Sequence, residues 1–205
     1  MGTDPLPLDP EVVRVLSGVT TATLTTVLLK KGLRDVWMRG AKPLQADQPR
    51  LVARAFTLRF VPAREDLATP ASWGAPISTR AAIEAMPAGC IAVVDAMGVV
   101  DAGIFGDILC ARMKKREVAG LVTDGVIRDL TGVLGTGLPV WCQGTAAPAS
   151  VAANTMGFAE IPSAGLRSDV NSIFNLIAGD FRWVPILYHW MPKWSACCPA
   201  SPPPH

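Results

Sequence analysis

The stretch from Gly89 to Gly125 constrains the fold more than any other. "GCIAVVDAMG" is a short, β-branched, apolar run ending in a turn, and it reads as a buried strand. "GDILCARMKKREVAG" follows as a helix, with Ile108, Leu109, Ala111 and Met113 toward the core and basic residues outward. "AGLVTDG" is a second buried strand. Strand, helix and buried strand in that order form a parallel βαβ crossover, right-handed by the general rule. The chain is therefore expected to be an α/β protein.

The flanks supply the remaining elements. "LDPEVVRVLSG" reads as a short helix with Asp9 as N-cap and Pro10 in its first position. "TTATLTTVLLKKG" reads as a second helix closed by Gly32. Leu51 to Val61 alternates like a strand, and "APISTRAAIEAMPAG" gives a helix from near Pro76 that stops before Pro87. "GVIRDLTGVLGTG" is a loop or short helix, "LPVWCQG" a third strand, and "SVAANTMGF" a last short helix. Residues 1 to 162 show no sequence repeat and no linker. After Pro162 the composition changes: residues 163–205 hold three of the six tryptophans, the only tyrosine and both histidines. The ending "CCPASPPPH" is disordered in character.

Composition narrows the chemistry. Half of the 205 residues are hydrophobic and 18% are charged, yet no apolar run is long enough to span a bilayer. The proline-broken start lacks the pattern of a signal peptide, so a cytoplasmic protein with no membrane partner is expected. The net charge is +2 with scattered basic residues. The cluster Arg112, Lys114, Lys115 and Arg116 reads as the wet face of a helix, and no nucleic-acid partner is expected. Five cysteines without a C-x-x-C pair fit reduced thiols. His189 and His205 are the only histidines, so the first 188 residues cannot hold a Ser-His-Asp triad or a His-ligated zinc. Roles for His189 or the tail tryptophans, as a ligand or a stacking platform, are not favoured.

For an enzyme, carboxylates, Arg, Lys, hydroxyls, backbone amides or a metal bound by oxygen remain. Asp107 begins the crossover helix, while Arg128 and Asp129 follow the next strand, which puts all three at one rim of the sheet, where ligands of parallel units gather. The helix start offers N–H groups at Ile108 and Leu109 to an anion, with Gly106 allowing close approach. Arg128 adds a planar fork for an oxyanion. Mutual repulsion of Asp107 and Asp129 would be relieved by Mg²⁺ or Mn²⁺, which keep several waters. A small α-keto acid chelated there could pass through an enolate, so that bonds next to its carbonyl are made or broken. The plain alternative stays open: Asp107 as a helix cap, and Arg128–Asp129 as a surface pair. Asp95, Asp101 and Asp124 lie near the same rim and read as turn or cap carboxylates, with Asp124 the one to check.

Asp107, the twenty residues from Ile108 to Ile127, and Arg128-Asp129 resemble the motif of the RraA-like family, which includes 4-hydroxy-4-methyl-2-oxoglutarate aldolases and regulators of ribonuclease activity A. "PAGCIAVVDAMG" and "AGLVTDGVIRD" are similar to the family as well, and "TTATLTTVLLKKGLRDVWMRG" and "FTLRFVPAREDL" resemble a bacterial subgroup of it often labelled as ribonuclease regulators. The resemblance covers residues 8–162 and leaves 163–205 as an atypical C-terminal tail.

It implies a swivelling β/β/α domain with the parallel βαβ unit at its core, assembled as a homotrimer or hexamer with active sites at subunit clefts. The implied activity is that of a metal-dependent class II pyruvate aldolase: a lyase that cleaves a small 4-hydroxy-2-oxo acid to release pyruvate and also decarboxylates oxaloacetate. By the same resemblance Asp129 anchors the Mg²⁺ or Mn²⁺, partly through water. Arg128 binds the keto oxygen and steadies the enolate. Gly106, Asp107, Ile108 and Leu109 form the substrate loop, their backbone amides on the pyruvyl carboxylate, and Asp107 orients a water for proton transfer.

This chain departs from the family pattern at Gly132, where active members often carry an acidic residue, and from Ser163 onward, which reads as a frameshifted or a lineage-specific end. Two other functions stand beside the lyase: a non-catalytic regulator that binds a ribonuclease, and an inactive remnant of an enzyme.

Overall fold

The computed structural model describes residues 8–34, 36–62 and 78–150, together with short strands at 154–156, 172–176 and 185–187. In chain order the elements are α1 (Pro10–Gly18), α2 (Thr21–Lys30), β1 (Lys42–Pro43), β2 (Leu51–Pro62), α3 (Thr79–Ala85), β3 (Ile91–Asp95), β4 (Gly103–Phe105) and α4 (Asp107–Lys115). There follow β5 (Gly120–Thr123), β6 (Val126–Ile127), α5 (Leu130–Gly135), β7 (Val140–Cys142), β8 (Gly144–Thr145), β9 (Asn154–Met156), β10 (Ser172–Leu176) and β11 (Pro185–Leu187). The caps follow the local chemistry. Asp9 accepts the Glu11 N–H ahead of Pro10, Thr20 accepts the Thr23 N–H, and Ser78 accepts the Ala81 N–H. Gly32 takes φ +84 just past α2, a conformation glycine adopts without steric cost.

The larger sheet runs β1-β7-β5-β3-β2-β10-β11, with β9 also pairing β2. Its centre, β2, β3, β5 and β7, is parallel, so the expected strand–helix–strand relation of β3 and β5 is present, with Val93 opposite Val122. The second β layer of the expected β/β/α domain, which residue patterns alone did not reveal, is the parallel set β4-β6-β8. The chain alternates between the two: β3, β5 and β7 lie in the large sheet, while β4, β6 and β8 lie in the small one. Helices α4 and α5 return it each time. This is a repeat of architecture without a repeat of sequence, which is why periodicity did not reveal it. β4 and β6 have only three and two residues, too few for an alternation to register.

Three further expectations are corrected. "GVIRDL" is neither plain loop nor wholly helix, since Val126–Ile127 is strand β6 and α5 begins at Leu130. Within "SVAANTMGF", Asn154–Met156 is a strand that pairs antiparallel with Phe60–Pro62 of β2, because an unpaired strand end offers backbone bonds there. On α4 the core face is Cys110 and Met113, both fully buried, with Leu109 partly buried; Ile108 and Ala111 are exposed. Two strands from the segment after Ser163, β10 and β11, extend the large sheet, β10 antiparallel to β2. His189, His205, Trp183, Trp190, Trp194, Cys197 and Cys198 lie outside the described residues.

The main core lies where the sheets and helices meet and includes Phe60, Ile83, Met86, Val94, Phe105, Met113, Leu121, Ile127 and Val133. Phe60 of β2 and Phe105 of β4 meet edge to face, with ring centroids 6.3 Å apart, and both are buried. Each ring contributes about 2–3 kcal/mol by burial, and their contact about 1 kcal/mol more. That contact fastens the small sheet to the large one. The basic face of α4 is engaged within the chain. Arg112 forms a two-point pair with Glu84 at 2.6 and 2.7 Å, Arg116 reaches Glu84 and the Met86 carbonyl, and Lys114 reaches the Gly137 carbonyl.

Candidate functional site

The small sheet sets the geometry of the rim. Phe105 of β4 is the register partner of Ile127 of β6, and both side chains are fully buried. Asp107 stands two residues beyond Phe105, and Asp129 two residues beyond Ile127. One pair of buried anchors therefore brings both carboxylates to the same edge. Arg128 N–H donates to the Phe105 carbonyl at 2.9 Å, which closes the ladder at the last step before the site. The register shifts between Gly103 and Phe105, a bulge of the kind that re-aims a strand end. The predicted convergence is thus present, at the ends of β4 and β6 in the small sheet rather than β3 and β5 in the large one.

The residues then meet through two glycines. A Cβ placed on Gly106 would lie 2.8 Å from Asp129 Oδ2 and 3.1 Å from Arg128 Cγ. A Cβ placed on Gly132 would lie 2.6 Å from Asp107 Cβ and 3.0 Å from its Oδ2. Gly106 caps α4, and Gly132 sits in the first turn of α5, so each helix start packs its glycine against the carboxylate of the other motif. At Gly132, where this chain departs from the pattern described above, the space a side chain would take is filled by Asp107.

Arg128 and Asp129 are joined directly, Nε donating to Oδ2 at 2.9 Å, with both side chains around two-fifths exposed. Asp129 itself adopts φ 56 and ψ 50, a left-handed conformation uncommon outside glycine and most tolerated by Asn and Asp. Its carbonyl still accepts the Val133 N–H at 2.9 Å, so the strained residue starts α5. The expectation of two free N–H groups at the start of α4 is corrected in part: Ile108 N–H donates to Asp107 Oδ1 at 2.7 Å, because the carboxylate at the first helical position curls onto the next amide. Ile108, 78% exposed, and Leu130, 42% exposed, each follow a site carboxylate and form an apolar margin.

Cys110 lies one turn along α4 from Asp107, and burial, with smaller contributions from Asp107 and Cys142, pushes its thiol up to about 12. It is a neutral core group.

Asp124 proves to be a staple for the neighbouring loop. Its two oxygens accept the N–H groups of Ala96 and Gly98 at 2.6 and 2.9 Å. Asp95 accepts the Met97 N–H and pairs with Arg59 at 3.2 Å. Asp101 is exposed in the bend before β4. Among the described residues, no three His, Cys, Asp or Glu side chains gather as a metal cluster. The anchors Phe105 and Ile127 were missed in the sequence, and Gly106 and Gly132 were singled out there without their packing against the two carboxylates. The signal available for the anchors was the repeated order apolar residue, one residue, Asp, then helix, in "FGD" and "IRD".

Two interleaved sheets, the smaller one parallel and the larger one parallel at its centre, with two carboxylates and an arginine at the ends of the smaller, define an α/β protein. Residues 21–166 match the RraA-like family, described as Aldolase/RraA, and this chain belongs to that family and has its fold. The crystal structure of Streptomyces coelicolor RraAS2, described as an unusual member of the RNase ES inhibitor RraA protein family, superposes with a TM-score of 0.71 at 30% identity, covering 88% of this chain and 87% of that one. A protein of Halalkalibacterium halodurans named "Putative 4-hydroxy-4-methyl-2-oxoglutarate aldolase" is 38% identical over 71 residues, 35% of this chain and 33% of that protein. Protein DlpA of Legionella pneumophila is 25% identical over 135 residues, 66% of this chain and 21% of its own length. The alignments thus span a third or less of both curated relatives. The family includes both aldolase-type enzymes and ribonuclease regulators. No single helix among the described residues is long and apolar enough to cross a membrane.

Proposed function

We propose that this chain is a divalent-metal-dependent lyase that cleaves a small 4-hydroxy-2-oxo acid, releases pyruvate and decarboxylates oxaloacetate at the same site. The observation that carries this reading is the meeting of Asp107, Arg128 and Asp129 at the ends of β4 and β6. The donor set is compatible with Mg²⁺ or Mn²⁺: two carboxylates with hard oxygen atoms, few enough that most of the ion's shell is left to water and substrate. Asp129 would hold the ion, which supplies Lewis-acid polarisation of the keto group.

The chain's own groups do the rest. Arg128 presents a permanent positive charge to the keto oxygen, where negative charge collects when the C3–C4 bond breaks. The start of α4, from Gly106 to Leu109, takes the substrate carboxylate with its dipole and the amides other than that of Ile108, which donates to Asp107 Oδ1. Asp107 orients the water that takes the C4 hydroxyl proton, and a proton returned to C3 completes pyruvate. A second subunit closing on the rim, in a homotrimer or hexamer, would cover the exposed Ile108 and Leu130. We place the family domain at residues 8–162, with 163–205 as an appended segment, in a cytoplasmic protein.

Pyruvate release from oxaloacetate and from 4-hydroxy-4-methyl-2-oxoglutarate, followed by a coupled dehydrogenase with Mn²⁺, tests the reading. Chelator should stop it, and Arg128→Ala or Asp129→Ala should each lower it by about 100-fold or more. Full activity in either variant removes the lyase reading. The likeness to an RNase ES inhibitor family member supports the alternative, a regulator that docks on a ribonuclease. A regulator would keep its inhibition in Asp129→Ala.

A further inference from the structure

The two glycines at the rim are required by space and not by backbone conformation. Gly106 has φ −118 and ψ −172, open to any residue, and Gly132 is absent from the positive-φ glycines. A helical glycine is ordinarily replaced by alanine with a gain in stability. Gly135, three residues on in the same helix, has nothing within 4 Å of the place a Cβ would take and is an internal control. At Gly132 the same Cβ would stand 2.6 Å from Asp107 Cβ, an atom fixed to the α4 backbone. At Gly106 it would meet the outer atoms of Asp129 and Arg128, which can turn away.

We propose that Gly106 and Gly132 are positioning residues that together fix where the two site carboxylates stand: Gly132 seats Asp107, and Gly106 seats Asp129 with Arg128. A side chain at 132, acidic or not, excludes Asp107 from its present place, so the glycine found there belongs to this chain's version of the site. The consequences differ in kind. Alanine at 132 pushes Asp107 out of its place at a cost in stability, while alanine at 106 leaves the fold and rotates the metal-side groups. The functional part of this inference rests on the lyase reading above.

The test uses the full chain with single substitutions. In metal-free buffer, Gly135→Ala should unfold at or above the temperature of the unsubstituted chain and Gly132→Ala below it. That loss should vanish when Gly132→Ala is made in an Asp107→Gly background. Gly106→Ala should unfold normally but bind Mn²⁺, followed by its paramagnetic resonance signal, at least tenfold more weakly. Gly132→Ala should keep Mn²⁺ affinity within about twofold while kcat for pyruvate release falls and its pH profile shifts, since Asp107 and not Asp129 has moved. Equal unfolding temperatures for Gly132→Ala and Gly135→Ala, or unchanged Mn²⁺ affinity in Gly106→Ala, overturn the proposal while the lyase reading stands. No Mn²⁺ binding by the unsubstituted chain overturns the metal reading and the Gly106 half with it, and the unfolding measurements still decide the Gly132 half.

Discussion

Two aspartates that follow consecutive strands, one in each sheet, are used in opposite ways. Asp124 follows β5 of the large sheet, and both its oxygens are occupied by the N–H groups of Ala96 and Gly98. Asp129 follows β6 of the small sheet, and its neighbours are a guanidinium and a glycine. The first carboxylate holds a loop in place. The second is held in place, with its backbone in a left-handed conformation and a bare Cα beside it. Five positions from Asp124 to Asp129 are enough to change sheets and, with them, the surroundings of the same side chain. A carboxylate whose acceptor sites are filled by backbone amides is a structural group. On the proposed reading, one positioned by packing and a guanidinium keeps further acceptor capacity for a ligand.

The largest effect expected on stability comes from breaking the small sheet. A Cβ on Gly103 would lie 2.6 Å from Arg128 N and 2.7 Å from Ile127 C, backbone atoms that cannot turn aside. Gly103→Ala should cost about 3 kcal/mol in denaturant unfolding and lower pyruvate release with it. A cost under about 0.5 kcal/mol would show that β4 and β6 can separate freely, and the rigid-rim argument would fall.

The comparison of the two aspartates is tested more directly by Asp124→Ala. Removing an acceptor of two charge-assisted bonds should cost about 2 kcal/mol, with kcat/KM in the folded protein kept within about threefold. Asp129→Ala should show the reverse partition, and a loss of catalysis in both would merge the two roles.

A smaller effect lies beneath the site. Burial holds the Cys110 thiol near 12 against an ordinary value of 9.0, so the unfolded chain loses this proton first as pH rises. Its contribution is complete below pH 9 and lost toward pH 12, about 1 kcal/mol by pH 10. The alkaline loss of stability should therefore be shallower in Cys110→Ala than in the unsubstituted chain. Parallel pH curves would show that the thiol does not report on the packing under Asp107.

Much of the candidate site could be read in the sequence because its parts are local: an aspartate at a helix start, an Arg-Asp pair after a β-branched run, and a fixed interval between them. The helix caps at Asp9 and Gly32 and the buried strands β3 and β5 were legible for the same reason. Ile108 and Ala111 were assigned to the wrong face of α4 because a nine-residue helix at a rim has one side open, and hydrophobicity does not report which side. The strand at Asn154–Met156 was missed because its conformation is decided by pairing with β2.

By itself the sequence determined an α/β chain with an aspartate at one helix start and an Arg-Asp pair after the next buried strand, since residue identity and spacing act over a few residues. Only the tertiary structure decided that the rim belongs to a second sheet, that Phe105 and Ile127 set its register, and that Gly106 and Gly132 leave room for each other's carboxylate. Strand pairing and close packing join residues far apart in the chain, and a contact of that range leaves no periodic trace in either partner.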